Sequence, residues 1–143
     1  MIIQQISIFI ENKSGRIYEV AAVLAEKNVN IRSLSLADTA SFGVLRMIVD
    51  KADVAYEALK AAGVTAKISE VVAIEVPDQV GGFAKVMKVM SEAGINVEYM
   101  YAFVEKNQDN AVLIFRFDDV RKTLELLKGK GLRILQAKEV LAL

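Results

Sequence analysis

The 143-residue chain contains no cysteine and no histidine. Those absences remove thiol nucleophiles, catalytic imidazole and the usual zinc and haem ligands. No repeated carboxylate pair replaces them, so no catalytic residues, no metal site and no cofactor are expected. Long apolar runs are also missing, since nothing approaches the ~20 residues of a membrane span. The N-terminus lacks the basic flank and small-residue cleavage site of a signal peptide, and a cytoplasmic protein off the membrane is expected. Excess charge of one sign is absent as well: 18 basic and 18 acidic residues cancel. That withholds the electrostatic footprint of a nucleic-acid binder. Apolar residues, by contrast, are abundant, at 54% with a mean hydropathy of +0.34. Two separate small cores would not readily hide that much, so packing between halves and between chains, as in a homodimer, is expected.

The stretch 11–30 occurs twice. Gly15 and Gly81 lie 66 residues apart, and at the same offset Val20 matches Val86, Val23 matches Val89, Glu26 matches Glu92 and Asn30 matches Asn96, with Asp78 standing for Asn12. A fixed offset that keeps a glycine, an apolar helical stripe and a terminal asparagine together marks a repeated architecture. Two domains follow, residues 1–70 and residues 71–143.

In the first copy, residues 5–10 alternate, with Ile6, Ile8 and Ile10 on one face and Ser7 and Phe9 on the other, the period of a half-buried strand. Asn12, Ser14 and Gly15 are turn and cap formers, and Ile17, Val20, Ala21 and Leu24 then follow amphipathic helical spacing. Lys27 and Asn28 suit the helix end. Residues 31–37 alternate again, with Leu34 and Leu36 against Ser33 and Ser35, and residues 38–43 read as a hairpin connection into residues 44–49. There Leu45, Met47 and Val49 face inward, which leaves Arg46 in water. A second helix over residues 53–62 stops at Gly63, and a fourth strand, residues 64–71, passes without a linker into the next copy.

The second copy repeats the order: a strand at 72–76, a helix bearing Phe83, Val86, Met87 and Met90 on its buried stripe, strands at 97–104 and 111–117, a helix at 119–128 and a last strand from Leu132. Its loop 105–110 is longer, since Leu113 matches Leu45 at an offset of 68. Residues 138–143 echo residues 69–74, so each fourth strand is expected to continue into an extra pairing segment. The fold class is therefore α+β: two ferredoxin-like βαββαβ domains in tandem, each an antiparallel sheet with helices on one face.

Asn12-Lys-Ser-Gly15-Arg-Ile17, followed by Asn28-Val-Asn30-Ile31 and an apolar strand, resembles the ACT domain, an amino-acid-sensing module of regulated biosynthetic enzymes. The runs 11–16 and 29–34 especially resemble the regulatory subunit of acetolactate synthase, and Asp78-Gln-Val-Gly81-Gly-Phe83 with Gly94-Ile-Asn96-Val97 fits the same pattern. The turn proline usual before the glycine is Ser14 in one copy and Val80 in the other. The resemblance implies a small ligand, an amino acid, at the seam between paired domains. In the serine-sensing version on phosphoglycerate dehydrogenase, the positions matching Asn12 and Asn30, and hence Asp78 and Asn96, contact the ligand.

Free N–H groups at a helix start suit a carboxylate, and glycine lets backbone come close, so Ser14, Gly15, Gly81 and Gly82 join the candidate site. Lys13 and Arg16 near the first turn either reflect a solvated surface or raise the local potential for an anion. Asparagine meets either end of a zwitterion. Asn30 and Asn96 also suit a plain helix terminus or turn. A helix of about 12 residues is about 18 Å long, so Gly15 and Asn30 cannot hold one small molecule within a single domain. A paired domain is required, with Asn12 and Gly15 meeting Asn96, and Asp78 and Gly81 meeting Asn30, in the version within one chain. The carboxylate ligand is expected to bind more tightly at the Asn12 site.

A non-catalytic, amino-acid-binding regulatory protein is the leading reading. An accessory subunit contacting a biosynthetic enzyme, such as acetolactate synthase, is the alternative. RNA binding, which the strand order also permits, would need exposed aromatics on the central strands. Residues 44–49 have none, and Phe115 and Phe117 are expected inward.

Overall fold

The computed structural model describes residues 1–37 and 40–143; part of the expected 38–43 hairpin connection thus lies outside the described residues. The chain divides into two compact units, residues 4–69 and residues 70–143 with residues 1–3.

In the N-terminal unit the order is β1 (Ile2–Glu11), α1 (Arg16–Glu26), β2 (Ile31–Ala37), β3 (Phe42–Val49), α2 (Ala52–Ala61) and the start of β4 (Ala66–Pro77). The strands lie in the order β2-β3-β1-β4. The antiparallel register pairs Ile6 with Met47 and Ile8 with Leu45, so the β1 and β3 side chains expected inward share one face. Val20 and Leu24 from α1 and Ala55 and Leu59 from α2 pack with Ile6, Ile8, Ile10, Leu45, Met47 and Val49 in one core, which puts both helices on that face. Burying each of the larger side chains contributes about 1.5–3 kcal/mol.

Leu34 and Leu36 pair with Met47 and Leu45 and so share the helix-side face. Yet they are about half exposed, because β2 is an edge strand that the helices do not reach over. Ile17 departs in the same way. It falls on the apolar stripe of α1 but is 44% exposed, as is its counterpart Phe83 at 45%, because the first turn of each helix stands at the rim of its unit.

The C-terminal unit continues along β4 into α3 (Gly82–Glu92), β5 (Tyr99–Ala102), β6 (Asn110–Arg116), α4 (Val120–Leu127) and α5 (Ala137–Ala142). Its strands are ordered β4-β6-β5, with Val72 opposite Phe115 and Ile74 opposite Leu113. Val86 and Met90 from α3 and Leu124 and Leu127 from α4 pack with Val72, Ile74, Phe115 and Phe117, again a sheet with helices on one face. The rings of Phe115 and Phe117 stack with centroids 5.9 Å apart and are fully buried, so these two rings, as expected, offer no platform for a base.

Four expectations are corrected. Residues 64–71 and 72–76 are not two strands but parts of the single strand β4, whose centre, Val71 to Ile74, is fully buried. The strand expected at 97–104 is only the four residues of β5. The last strand from Leu132 shrinks to a bridge between Ile134 and Ile74, flanked by the Glu75 to Arg133 and Leu135 to Ala73 backbone bonds. The extra pairing segment expected in each copy is present in the first, where residues 69–74 lie within β4, which pairs with β6, but in the second it is instead the helix α5. Residues 69–74 carry Val71, Val72 and Ile74, whereas the echo 138–143 carries Leu141, Leu143 and one valine, which shifts the preference from strand to helix. Gln136 and Glu139 then close a reciprocal capping box at the start of α5.

Candidate functional site

The first copy's β1–α1 loop is built around Gly15, whose φ of 88° lies in the left-handed region that favours glycine. Ser14 does not cap α1; Gly15 occupies that position, with no side-chain cap bond, and Gly81 does the same for α3. The Asn12 N–H donates to the Ser41 carbonyl at 2.9 Å, which ties the loop to the strand beside it. The Asn12 side-chain amide reaches the Ala40 carbonyl only at 3.5 Å, the outer limit of a hydrogen bond. A small cleft of about 90 Å³ opens here, with Asn12 and Lys13 on one side and Ile10, Ile17, Leu36 and Gly43 around it. Leu36 and Gly43 were not among the sequence candidates. The alternation that marked Leu36 could not say that the helices leave it uncovered.

Charge at this helix start is compensated. Lys13 pairs with Glu11 at 2.7 Å, and Arg16 bridges Glu19 at 3.0 Å and Glu11 at 3.8 Å. The Lys13 ammonium, hydrogen-bonded to Glu11, holds that carboxyl below its ordinary range, and Glu19 raises the Arg16 guanidinium. The two cations are answered by two carboxylates, so the pairing supports the solvated-surface reading over a local positive potential.

Asn30 sits beyond the far end of α1. Asn28, at φ 53°, terminates the helix, and the Asn30 N–H donates to Asp50 Oδ1 at 2.9 Å while its carbonyl accepts from the Asp50 N–H. Lys51 Nζ donates to the Asn28 carbonyl at 2.7 Å, placing a cation at the helix C-terminus, where the dipole favours it.

In the second copy Asp78 forms an ion pair with Lys106, which comes from the longer loop, and this raises the Lys106 pKa. The Asp78 charge is therefore answered within the unit. Gly82 has a packing reason of its own: a Cβ there would lie 2.0 Å from the Pro77 carbonyl oxygen. Asn96 lines a groove with Asp118, Asp119 and Lys122 at the C-terminal end of α3. The structure thus brings Asn12 together with Ile17 and Leu36, and Asn96 with the start of α4. Asn30, Asp78 and Gly81 line neither of these two sites. Among the described residues no cluster of His, Cys, Asp and Glu is arranged to hold a metal, and no helix is long and apolar enough to cross a membrane.

The family model described as an ACT domain pair matches residues 1–143. The chain belongs to the ACT domain family. Its fold is that of two ferredoxin-like ACT domains in tandem. A crystal structure of protein BT0572 from Bacteroides thetaiotaomicron is 42% identical with a TM-score of 0.91, covering 100% of this chain and 98% of that one. The ligand-free regulatory subunit of aspartate kinase from Thermus thermophilus is 20% identical with a TM-score of 0.62, covering 87% of this chain and 89% of that one, a likeness of fold. The small subunit of acetolactate synthase from Thermotoga maritima superposes at a TM-score of only 0.37 with 18% identity, covering 92% of this chain and 91% of that one. No curated protein matches the chain.

Proposed function

We propose that this ACT domain pair is a non-catalytic regulatory protein that binds an amino acid at the first copy's β1–α1 loop. The observation that carries the reading is the cleft at Asn12. An amide with both donor and acceptor character stands beside an aliphatic wall of Ile10, Ile17 and Leu36, which suits a zwitterion with an aliphatic side chain. At about 90 Å³ the cleft is well short of the roughly 300 Å³ of an ordinary ligand pocket, and Ile17 and Leu36 remain half exposed around it. The ligand is therefore covered by an apposed ACT unit from a second chain, in a homodimer. Thermal shift across the amino acids tests this. An aliphatic amino acid at about 100 times its Kd adds about 2.7 kcal/mol and raises Tm by several degrees. The gain is lost in Asn12→Ala, and no shift with any amino acid would contradict the reading.

A second reading, an accessory subunit beside an amino-acid biosynthetic enzyme, is favoured by the exposed side chains of Tyr18, Leu34 and Phe42 on the first unit. The aspartate kinase regulatory subunit among the structural neighbours points the same way. Co-purification of such an enzyme with the tagged chain, lost in Tyr18→Ser, supports it; recovery of the chain alone counts against it.

A further inference from the structure

The groove between the first helix, the first strand and the turn after the second helix occurs in both copies, but its lining is rewritten between them. In the N-terminal unit it is bordered by Phe9, Phe42, Ala62 and Thr65, and its charged residues Glu11, Arg16 and Glu19 are paired with one another. In the C-terminal unit the corresponding places hold Glu75, Asn110, Lys130 and Arg133, and Lys85 stands for Glu19. The backbone frame is the same, since Phe9 N–H donates to the Thr65 carbonyl at 3.0 Å and Glu75 N–H to the Arg133 carbonyl at 2.9 Å.

Two of these charged residues are already engaged. The Glu75 carboxylate accepts from Asn107 and from Asn110 at 3.2 Å and pairs with Arg133 at 3.5 Å, while Arg133 also pairs with Glu139 at 2.8 Å. Lys85 and Lys130 are different: both line the groove, both are exposed, and neither has an ion-pair partner among the described residues. Beside them Val86, Val89 and Leu132 supply an aliphatic wall to a space of about 320 Å³. That volume lies at the lower end of ordinary small-ligand pockets.

We infer that this C-terminal groove, lined by Lys85 and Lys130 against Val86, Val89 and Leu132, is a binding site for a small aliphatic carboxylate without an amino group. The two ammonium groups attract the carboxylate, and the valines and Leu132 take the aliphatic body, which phosphate would leave without a partner. An α-ammonium finds no such welcome. Three of the roughly four lone-pair directions of Glu75 are already occupied, and Lys85 and Lys130 repel a further cation. The site is independent of the amino acid cleft at Asn12 and stands whether or not that cleft is filled.

The test is amide NMR of the full chain titrated with 3-methyl-2-oxobutanoate, and separately with inorganic phosphate and with valine. The oxo acid is expected to shift the amides of Val86, Val89 and Leu132. The variant Lys85→Gln/Lys130→Gln, whose exposed side chains leave the melting curve unchanged, is expected to weaken it roughly tenfold, as is about 0.5 M salt in part. Retention of the Asn12 amide shift by valine in that double variant separates this site from the first. The inference is overturned if the oxo acid leaves those amides unmoved at about 10 mM. Equal binding by the double variant overturns it too, as does phosphate or valine binding in this groove as tightly as the oxo acid.

Discussion

Gly82 illustrates how a residue singled out by sequence acquires its reason from packing. It sits at the start of α3 under the Pro77 carbonyl, so Gly82→Ala must displace backbone and not merely a side chain. A loss of about 1–3 kcal/mol or more in chemical denaturation is expected. Gly15→Ala meets no atom within 4 Å and is penalised only through its φ of 88°, about 1–2 kcal/mol. A Gly82→Ala loss no larger than that of Gly15→Ala would count against the close-approach account. Gly15 was legible in the sequence as one of the repeated pair with Gly81, and Gly82 as the neighbour of that pair, but their two different reasons were not, because a one-dimensional pattern does not show which carbonyl lies overhead. The Asp78 to Lys106 pair was hidden for a related reason. Lys106 belongs to the loop whose extra length shifts the offset between the copies from 66 to 68, so it has no counterpart to compare.

Among the elements, α5 departs furthest from the expected pattern. It is six residues long and too short to persist on propensity alone, so its capping box and the burial of Val140 hold it. The Gln136 backbone N–H, donating to Glu139 at 2.7 Å, and then the Arg133 charge hold the Glu139 carboxyl below its ordinary range. A depressed folded pKa means that this contribution is complete above the unfolded value and lost as pH falls through the lower, folded one. Amide protection of Val140 and Leu141 is therefore expected to fall on acidification below the ordinary carboxylate range, while β4 and β6 remain protected. Glu139→Gln, which keeps an acceptor but loses the charge, should flatten that pH dependence. Unchanged pH dependence in this variant would remove Glu139 as its source. The strands were legible where both alternation and β-branching agreed, as in β1 and β3. The echo of 69–74 in 138–143 misled because it preserved apolar positions while exchanging β-branched residues for leucine.

At the scale of the molecule, the repeat at a fixed offset made the tandem ACT fold readable in the sequence. The absence of His and Cys pointed away from the commonest catalytic machinery. What was not legible is how far the copies diverge in charge: compensated pairs around Arg16 in one, lysines without ion-pair partners among the described residues at 85 and 130 in the other. The central claim is that the first copy's cleft at Asn12 receives an amino acid. The direct measurement is an amide NMR titration of the full chain with each aliphatic amino acid, repeated on Asn12→Ala. The account predicts that one of them shifts the amides of Asn12, Ile17, Leu36 and Gly43, and that Asn12→Ala weakens binding roughly fivefold or more while the fold is retained. Shifts confined to other residues, or an affinity unchanged by Asn12→Ala, would contradict it.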